Sequence, residues 1–304
     1  MRRDPASAPG FFRRLVAGLL LCLLALASFS PAIGQTEELL IGIEPEHNIF
    51  DQMERHRRLA AYLSAQLGVK VNLTIMSRYG EVIKRFKSLK LDGAFLAAYT
   101  ATMGISALNL EPVVSPVGLA GESKSQGYIF VRKDSGIRNV RDMRGKSIVF
   151  VDPATMEGYL YPLVYLKRQG ITDISTFFHR FSSAGSDASA IFSVLDGRAD
   201  MGAAKDTIFN ELAHREPSVR EELHIIARSP RVPEITLCMR SEIDGELRAR
   251  LTAVLLDMGK TQQGRKVLEQ FKARSFVRAK VADFAGIEGL AQEARDIRAT
   301  AETD

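Results

Sequence analysis

The residues best suited to hold a ligand form a short turn, D-P-A-T-M-E-G at residues 152–158, between an apolar run at 148–151 and a helical pattern at 157–168. Backbone N–H groups at a helix start have no intrahelical partner, and the helix dipole adds positive partial charge there. The turn is therefore a candidate floor for an anion. Within it, Thr155 supplies a hydroxyl, whereas Glu157 supplies a carboxylate that would repel an anion.

Further candidate ligand contacts follow other predicted strands or precede predicted helices, where ligands of α/β sheets collect. In chain order these candidates are Glu46, His47, Asn48, Tyr79, Tyr99, Thr100, Tyr128 and Lys205. Lys205 stands at the end of a predicted strand and is a candidate cation for the site. The tyrosines have an alternative role, because aromatic rings also pack one lobe against another.

The order of the elements predicts two α/β layers. Apolar runs at 39–43, 69–75 and 91–97 alternate with helical patterns at 53–67 and 77–88, which is typical of an α/β layer. A second layer is predicted from Tyr128 onwards, and a helical tail follows it. The expected fold class is α/β with two lobes, each built on a central mixed, largely parallel sheet, and a hinge between them.

Two crossing segments, near 122–127 and near 228–234, set the expected domain boundaries. Residues 35–126 together with 229–304 form the first lobe, and residues 127–228 form the second. The carboxyl ends of the strands then face a cleft between the lobes, which is where we expect a ligand to bind.

The N-terminus has the pattern of a secretory signal peptide. Arg13 and Arg14 precede an apolar run of about 15 residues, and the small residues Ala32 and Gly34 follow it, which predicts a signal peptide at 1–34 and a periplasmic protein. The run is shorter than the roughly 20 residues of a membrane span; an uncleaved anchor is the alternative. Without residues 1–34 the net charge falls from +5 to +2, so the basic character belongs largely to this segment.

Several function classes lack their sequence signals. The chain has no Trp and no cluster of basic with aromatic residues, so nucleic acid is not an expected partner. Cys238 is the one cysteine beyond residue 34, so no internal disulfide is expected. We find no nucleophile elbow, Walker loop or zinc motif. We therefore expect no catalytic residues, no cofactor and no metal, and keep an exported enzyme as a minor alternative.

A series of short motifs runs through nearly the whole chain beyond the signal segment. They are G-I-E-P-E-H-N at 42–48, L-A-A-Y-L-S-A-Q-L-G at 59–68, R-K-D-S-G-I at 132–137, R-G-K at 144–146 and V-L-D-G-R-A-D at 194–200. In this order and spacing they resemble the PhnD-type phosphate, phosphite and phosphonate binding proteins of ABC importers. The resemblance implies the two-lobed type II periplasmic binding protein fold, capture of a small solute, an inner-membrane ABC permease as partner, and a monomer.

The resemblance also implies ligand contacts in the turn described above. The family commonly has Ser-Thr-Ser-Gly after an Asp-Pro, and these positions correspond to 155–158 here. Thr155, Met156 and Glu157 are therefore the implied contacts. Thr155 keeps a hydroxyl, and its alternative role is a helix cap. A first-turn carboxylate favoured by the helix dipole is the alternative role of Glu157.

Three more contacts are implied elsewhere. The family's Gly-Ser-His-Asp corresponds to residues 185–188, which makes Ser186 and Asp187 implied contacts, with Asp187 in the histidine position. Capping the following helix is the alternative role of Asp187. Tyr79 matches a tyrosine that the family places beside its ligand.

Both departures from the family pattern, Glu157 and Asp187, add negative charge. Two like charges about 4 Å apart repel by about 4 kcal/mol at an effective dielectric of about 20. Either these carboxylates turn away from the cleft, or the ligand is not a bare oxyanion. In both cases the expected mechanism is hinge closure around the ligand. A solute sensor that presents the closed clamp to a membrane signalling partner is the alternative to transport.

Overall fold

Two mixed β-sheets, each covered by helices, organise the part of the chain that the computed structural model describes, residues 38–44, 49–76 and 81–297. The strands are β1 (Glu38–Ile43), β2 (Lys70–Ile75), β3 (Gly93–Leu96), β4 (Leu110–Gly118), β5 (Lys124–Ser125), β6 (Gly127–Arg132), β7 (Ser147–Phe150), β8 (Arg180–Ser183), β9 (Met201–Lys205), β10 (Leu223–Arg228), β11 (Val232–Pro233), β12 (Thr236–Arg240) and β13 (Ala273–Arg278).

The helices lie between these strands and after them. They are α1 (Ile49–Leu67), α2 (Val82–Leu89), α3 (Ala98–Leu108), α4 (Tyr161–Arg168), α5 (Ile174–Phe177), α6 (Asp187–Leu195), α7 (Asp206–Arg215), α8 (Pro217–Glu222), α9 (Gly245–Asp257), α10 (Gln262–Phe271) and α11 (Ile287–Arg295). A π turn, Met156–Leu160, leads directly into α4. Three short 3-10 helices complete the described elements: Val140–Met143, Met258–Lys260 and Val281–Phe284.

The six-stranded sheet has the order β13-β4-β12-β3-β1-β2 and takes its strands from both ends of the described chain. β1 pairs in parallel with β2 and β3, whereas β12 runs antiparallel to β3 and β4. β1 reads E-L-L-I-G-I, and after Glu38 it has no polar alternation, as is typical of a strand covered on both faces. We call this sheet and its helices the first lobe.

The five-stranded sheet has the order β10-β6-β9-β7-β8 and takes all its strands from the middle of the chain. β7 pairs in parallel with β8 and β9, and β6 runs antiparallel to β9 and β10. Because β9 is parallel to β7 and antiparallel to β6, the carboxyl ends of β7 and β9 lie beside the start of β6 at Gly127. We call this sheet and its helices the second lobe.

The short strands β5 and β11 pair antiparallel where the chain crosses between the two sheets. This ladder is continued by backbone bonds from Ser229 to Gly127 and from Glu234 to Ser123. The C-terminal helix α11 packs on α3 of the first lobe and on α4 of the second. Two ion pairs join this end of the chain to α4: Arg168 with Glu293 of α11 at 2.9 Å, and Lys167 with Asp296, directly after α11, at 2.6 Å.

The α/β class with mixed sheets is confirmed, but the prediction that each sheet is largely parallel is wrong. Six of the ten strand ladders are antiparallel. The physical reason is the double crossing: a strand that returns from the other lobe enters its sheet against the direction of its neighbours. The parallel pairing is confined to the groups β2-β1-β3 and β8-β7-β9.

Candidate ligand cleft between the lobes

The start of the helix at Met156 is held by the turn that precedes it. Thr155 has extended backbone angles and occupies the cap position, yet its side chain makes no cap bond. Its hydroxyl instead donates to the backbone oxygen of Asp152 at 2.7 Å, and the Asp152 carboxylate accepts from Ala154 N at 2.9 Å. The single hydroxyl proton of Thr155 is therefore used inside the turn, and donors for a ligand at this point would be backbone N–H groups.

Glu157 is buried and points at the crossing segment. Its carboxylate is 2% exposed and accepts a hydrogen bond from Ser125 of β5 at 2.7 Å. Burial raises the pKa of Glu157 to about 7, while the Lys205 charge and the Ser125 hydrogen bond oppose that rise. The carboxyl group is therefore partly protonated near neutral pH, which removes much of the repulsion that its sequence position suggested.

Lys205, at the end of β9, connects the second lobe to the crossing segment. Its ammonium group lies 3.1 Å from the Glu234 carboxylate, and both side chains are largely buried. Its backbone N–H donates to the Asp187 carboxylate at 2.7 Å. Asp187 thus turns toward the protein's own donor. The cap of α6 is Ser186, whose hydroxyl accepts from Ser189 N at 3.2 Å.

On the first lobe, the carboxyl ends of β1 and β3 meet around a buried carboxylate. Glu44 is fully buried and accepts hydrogen bonds from Ala97 N at 2.6 Å and from the Thr100 hydroxyl at 2.7 Å. Since Ala97 itself offers no side-chain cap, Glu44 caps α3 from outside the helix. Tyr99, in the first turn of α3, is half-buried, and its hydroxyl lies 3.5 Å from the Arg295 guanidinium of α11.

Of the remaining predicted contacts, some are buried in the protein and the others lie outside the residues that the structure describes. Met156 is fully buried in the cluster that also contains Ala98 of α3. Tyr128 is buried against Phe209, with ring centroids 5.6 Å apart. The Arg228 guanidinium packs over the Tyr128 ring, with its Cζ 4.7 Å from the ring centroid. Tyr79, Glu46, His47 and Asn48 lie outside the described residues, as does the predicted signal peptide at 1–34.

An interlobe cavity of about 140 Å³ lies next to the Lys205–Glu234 pair. Its walls include Arg55 and His56 of α1 on one side and Thr207 and Glu211 of α7 on the other. Arg55 donates to Glu211 at 2.9 Å, so an ion pair joins the two lobes at its edge. The two lobes are therefore in direct contact at this edge of the cavity.

Sequence reasoning missed Glu44, Ser125, Glu234 and the Arg55–Glu211 pair. A signal existed for Glu44, because a carboxylate that ends an apolar strand directly before a proline has little reason to be there unless it caps a neighbour. Ser125 and Glu234 lie in the crossing segments that the sequence predicts as the hinge, and their residue types alone do not indicate their partners. The Arg55–Glu211 pair joins residues 156 positions apart, and nothing local indicates it.

Within residues 38–44, 49–76 and 81–297, no group of three or more His, Cys, Asp or Glu side chains is arranged to hold a metal ion. No helix in this part of the chain has the length and apolar character of a membrane span.

The two sheets, their paired crossing strands and the cavity between them define a two-lobed α/β fold. A binding protein component of an ABC phosphonate transporter from Pseudomonas aeruginosa superposes with a TM-score of 0.78 at 20% identity, covering 86% of this chain and 87% of that one. PhnD1 from Prochlorococcus marinus, in complex with methylphosphonate, superposes with a TM-score of 0.76 at 17% identity, covering 86% and 100%. At these identities the likeness establishes the type II periplasmic binding protein fold.

The model of the family described as ABC transporter, phosphonate, periplasmic substrate-binding protein matches residues 41–284, and the chain belongs to this family. The phosphate-import protein PhnD of Mycolicibacterium smegmatis is 28% identical over 59% of this chain and 59% of its own length. The phosphonates-binding periplasmic protein of Escherichia coli is 25% identical over 68% and 62%. The alignments thus span about three fifths of these two relatives. The resemblance stated from the motifs is confirmed.

Proposed function

We propose that this protein is the solute-binding component of an ABC importer, and that it captures a small oxyanion of the phosphonate, phosphite or phosphate class by hinge closure. Its exported location, the signal peptide at 1–34, the permease partner, the monomeric state and the lobe boundaries at 126–127 and 228–229 are parts of the same proposal. Membership in a family of periplasmic substrate-binding proteins supports it, and the comparisons lend no support to the sensor alternative.

The observation that carries the oxyanion is the direction of the two unexpected carboxylates. Glu157 accepts from Ser125, and Asp187 accepts from the backbone of Lys205. Because both are satisfied by the protein's own donors, neither requires a cationic ligand. This favours the first of the two alternatives stated above, in which the carboxylates turn away and the ligand is an oxyanion.

The proposed site lies between the helix start at Met156 on the second lobe and the start of α3 on the first lobe. Ala98, Ala101, Met156 and Leu160 belong to one buried cluster that contains residues of both lobes. Ligand donors there would be backbone N–H groups of the first helical turns, with Tyr99 at the rim. Thr155, Asp187 and Lys205 would hold these elements in position around the ligand.

Isothermal titration calorimetry with methylphosphonate, phosphite and phosphate tests this proposal. We expect at least one of them to bind with a one-to-one stoichiometry, and a polyamine and an amino acid to give no heat. A polyamine that binds while all three oxyanions fail would overturn the oxyanion class but leave solute binding intact. A protein that binds none of these compounds, in a folded state shown by circular dichroism, would contradict the proposal as a whole.

A further inference from the structure

The C-terminal helix α11 joins the two lobes in addition to the two crossing segments. It follows β13, at the edge of the first-lobe sheet, through the 3-10 helix Val281–Phe284. That 3-10 helix packs on α3 of the first lobe and on β11 of the crossing ladder. α11 itself packs on α3 and, on the second lobe, on α4 and the π turn that precedes it. Since α3 and α4 belong to different lobes, α11 must leave one of them when the lobes part.

One face of α11 is buried by these contacts. Ile287, Ala291 and Ala294 are at most 2% exposed and follow one stripe of the helix. They belong to a buried cluster that also contains residues of α3 and α4. Beyond this stripe, the Arg295 guanidinium lies 3.5 Å from the Tyr99 hydroxyl of α3. The apolar stripe therefore fixes how α11 is turned, and it places the charged residues at the end of the helix beside α4.

Two ion pairs connect the end of α11 to α4. Arg168 donates to both oxygens of Glu293, from Nε at 3.0 Å and from Nη2 at 2.9 Å. Lys167 donates to Asp296 at 2.6 Å. The two-pronged arginine pair is specific in direction as well as in distance. Both pairs lie near the surface, with side chains between 28% and 57% exposed, so each is weak on its own and is screened by salt.

We propose that α11 is a strap that holds the second lobe against the first, and that its ion pairs with α4 govern how often the clamp opens. The buried stripe and the ion pairs are both lost at whichever lobe the helix leaves. Open and closed states of hinged proteins differ little in free energy, so contacts of this strength shift their populations.

The strap does not need to touch the ligand to change its affinity. α4 continues the π turn at Met156, which carries one helix start of the proposed ligand site, and α3 carries the other. A ligand that contacts both helix starts binds best while the strap holds the lobes together, so the strap and the ligand favour the same state. This step rests on the proposed function.

An exchange of charges between the two helices tests the strap. The first variant combines Glu293→Lys with Asp296→Lys, which turns both ion pairs into repulsions. Lysine suits the C-terminal turn of a helix because it complements the helix dipole, so α11 itself should stay folded. The second variant adds Lys167→Glu and Arg168→Glu to the first, which restores two ion pairs with their charges exchanged.

The control changes the net charge as much as the first variant does but leaves the strap intact. It combines Asp257→Lys with Asp196→Lys, two exposed carboxylates that each pair with a residue of their own lobe. Small-angle X-ray scattering without ligand measures opening, and calorimetry with methylphosphonate measures affinity. We expect a larger radius of gyration and at least threefold weaker binding in the first variant, and parental values in the second variant and the control.

The radius of gyration decides the strap, because it needs no ligand. A larger radius in the first variant that returns to the parental value in the second supports the strap. An unchanged radius in the first variant overturns it, as does an increase that persists in the second variant or also appears in the control. Parental affinity in an opened first variant would overturn the coupling to the ligand. If the radii behave as expected but no oxyanion binds the parent, the strap stands and the proposed cleft ligand fails.

Discussion

At the scale of single residues, Glu157 shows how burial changes the meaning of a charge. Its sequence position predicts a carboxylate beside an anion floor, and the structure buries that carboxyl group with Ser125 as hydrogen-bond donor. Lys205 lies nearby but is already paired with Glu234. Burial outweighs both favourable partners, and the pKa of Glu157 rises to about 7.

The first prediction concerns the pH dependence of stability. The pKa of Glu157 is about 7 when folded and 4.5 when unfolded, so the folded protein holds this proton more tightly. Its contribution to the free energy of unfolding is fully present below pH 4.5 and is lost as the pH rises through 7, a change of about 3 kcal/mol. Urea unfolding of the parent and of Glu157→Gln between pH 4.5 and 8 measures this change, because glutamine has no titratable group at position 157.

We expect the difference between the two curves to grow in favour of the variant as the pH rises. Glu269→Gln, which removes an exposed carboxylate from α10, is the control and should follow the parent. Parallel curves for the parent and Glu157→Gln would show that Glu157 does not titrate in this range. Its negative charge would then count against an anionic ligand in the cleft.

At the scale of elements, the helix that starts at Met156 is fixed against β7 by a glycine. A Cβ at Gly158 would lie 2.3 Å from Val151 Cγ2 and 2.6 Å from Val151 Cβ, and the Cβ atom cannot move without its backbone. Gly127 allows a second close approach, since a Cβ there would lie 2.7 Å from the backbone oxygen of Glu157. The two glycines let the helix start press against both β7 and β6, which brings its N–H groups to the cleft.

The second prediction tests this packing. Gly158→Ala is expected to lower the free energy of unfolding by about 1–3 kcal/mol, because the added methyl overpacks a site with no free space. Gly289→Ala, on the exposed face of α11 with nothing within 4 Å, is the matched control and should raise stability by about 0.5–1 kcal/mol through helix propensity. Urea titration of both variants measures the contrast. A Gly158→Ala protein as stable as the parent would mean that the helix start is free to shift.

The same elements show what sequence patterns can and cannot predict. The strand and helix alternation around β1, α1 and β2 was readable because buried strands and an amphipathic helix have distinct periods. The helix α3 was missed because A-Y-T-A-T-M-G-I-S-A-L has no charged stripe. The strand β4 was not predicted; it contains Pro112 and Pro116, which are unfavourable inside a strand, and Pro112 pairs with Cys238 where the register shifts.

The candidate site was predictable in its frame but not in its contacts. The turn at 152–158 follows β7 and leads into a helix, as its residue types predicted. The partners of its side chains were not predictable, because Ser125, Lys205 and Glu234 are brought to Glu157 by the crossing strands and not by any local pattern. Thr155 illustrates the limit: a threonine before a helix predicts a cap, and only the fold shows its hydroxyl bonded to Asp152 instead.

At the scale of the whole molecule, contacts between lobes decide how readily the clamp opens. Arg55 on α1 and Glu211 on α7 form an ion pair that joins the two lobes, with side chains 11% and 28% exposed. A partly exposed pair of this kind contributes about 1 kcal/mol or less. That amount is small against the stability of either lobe, yet it is comparable to the free-energy differences between open and closed states of hinged proteins.

The last prediction follows from that comparison. Glu211→Gln removes the negative charge that holds Arg55 and Arg215 together, so the ligand-free protein should open more often while each lobe keeps its fold. Small-angle X-ray scattering should show a larger radius of gyration than the parent without ligand, and the same radius when a cleft ligand is saturating. Asp196→Asn, which breaks an exposed pair with Arg198 inside the second lobe, removes the same charge without touching the cleft and should leave the radius unchanged. An unchanged radius in Glu211→Gln would mean that the Arg55–Glu211 pair does not control opening, and that closure depends on the buried Lys205–Glu234 pair and the packing of α11 instead.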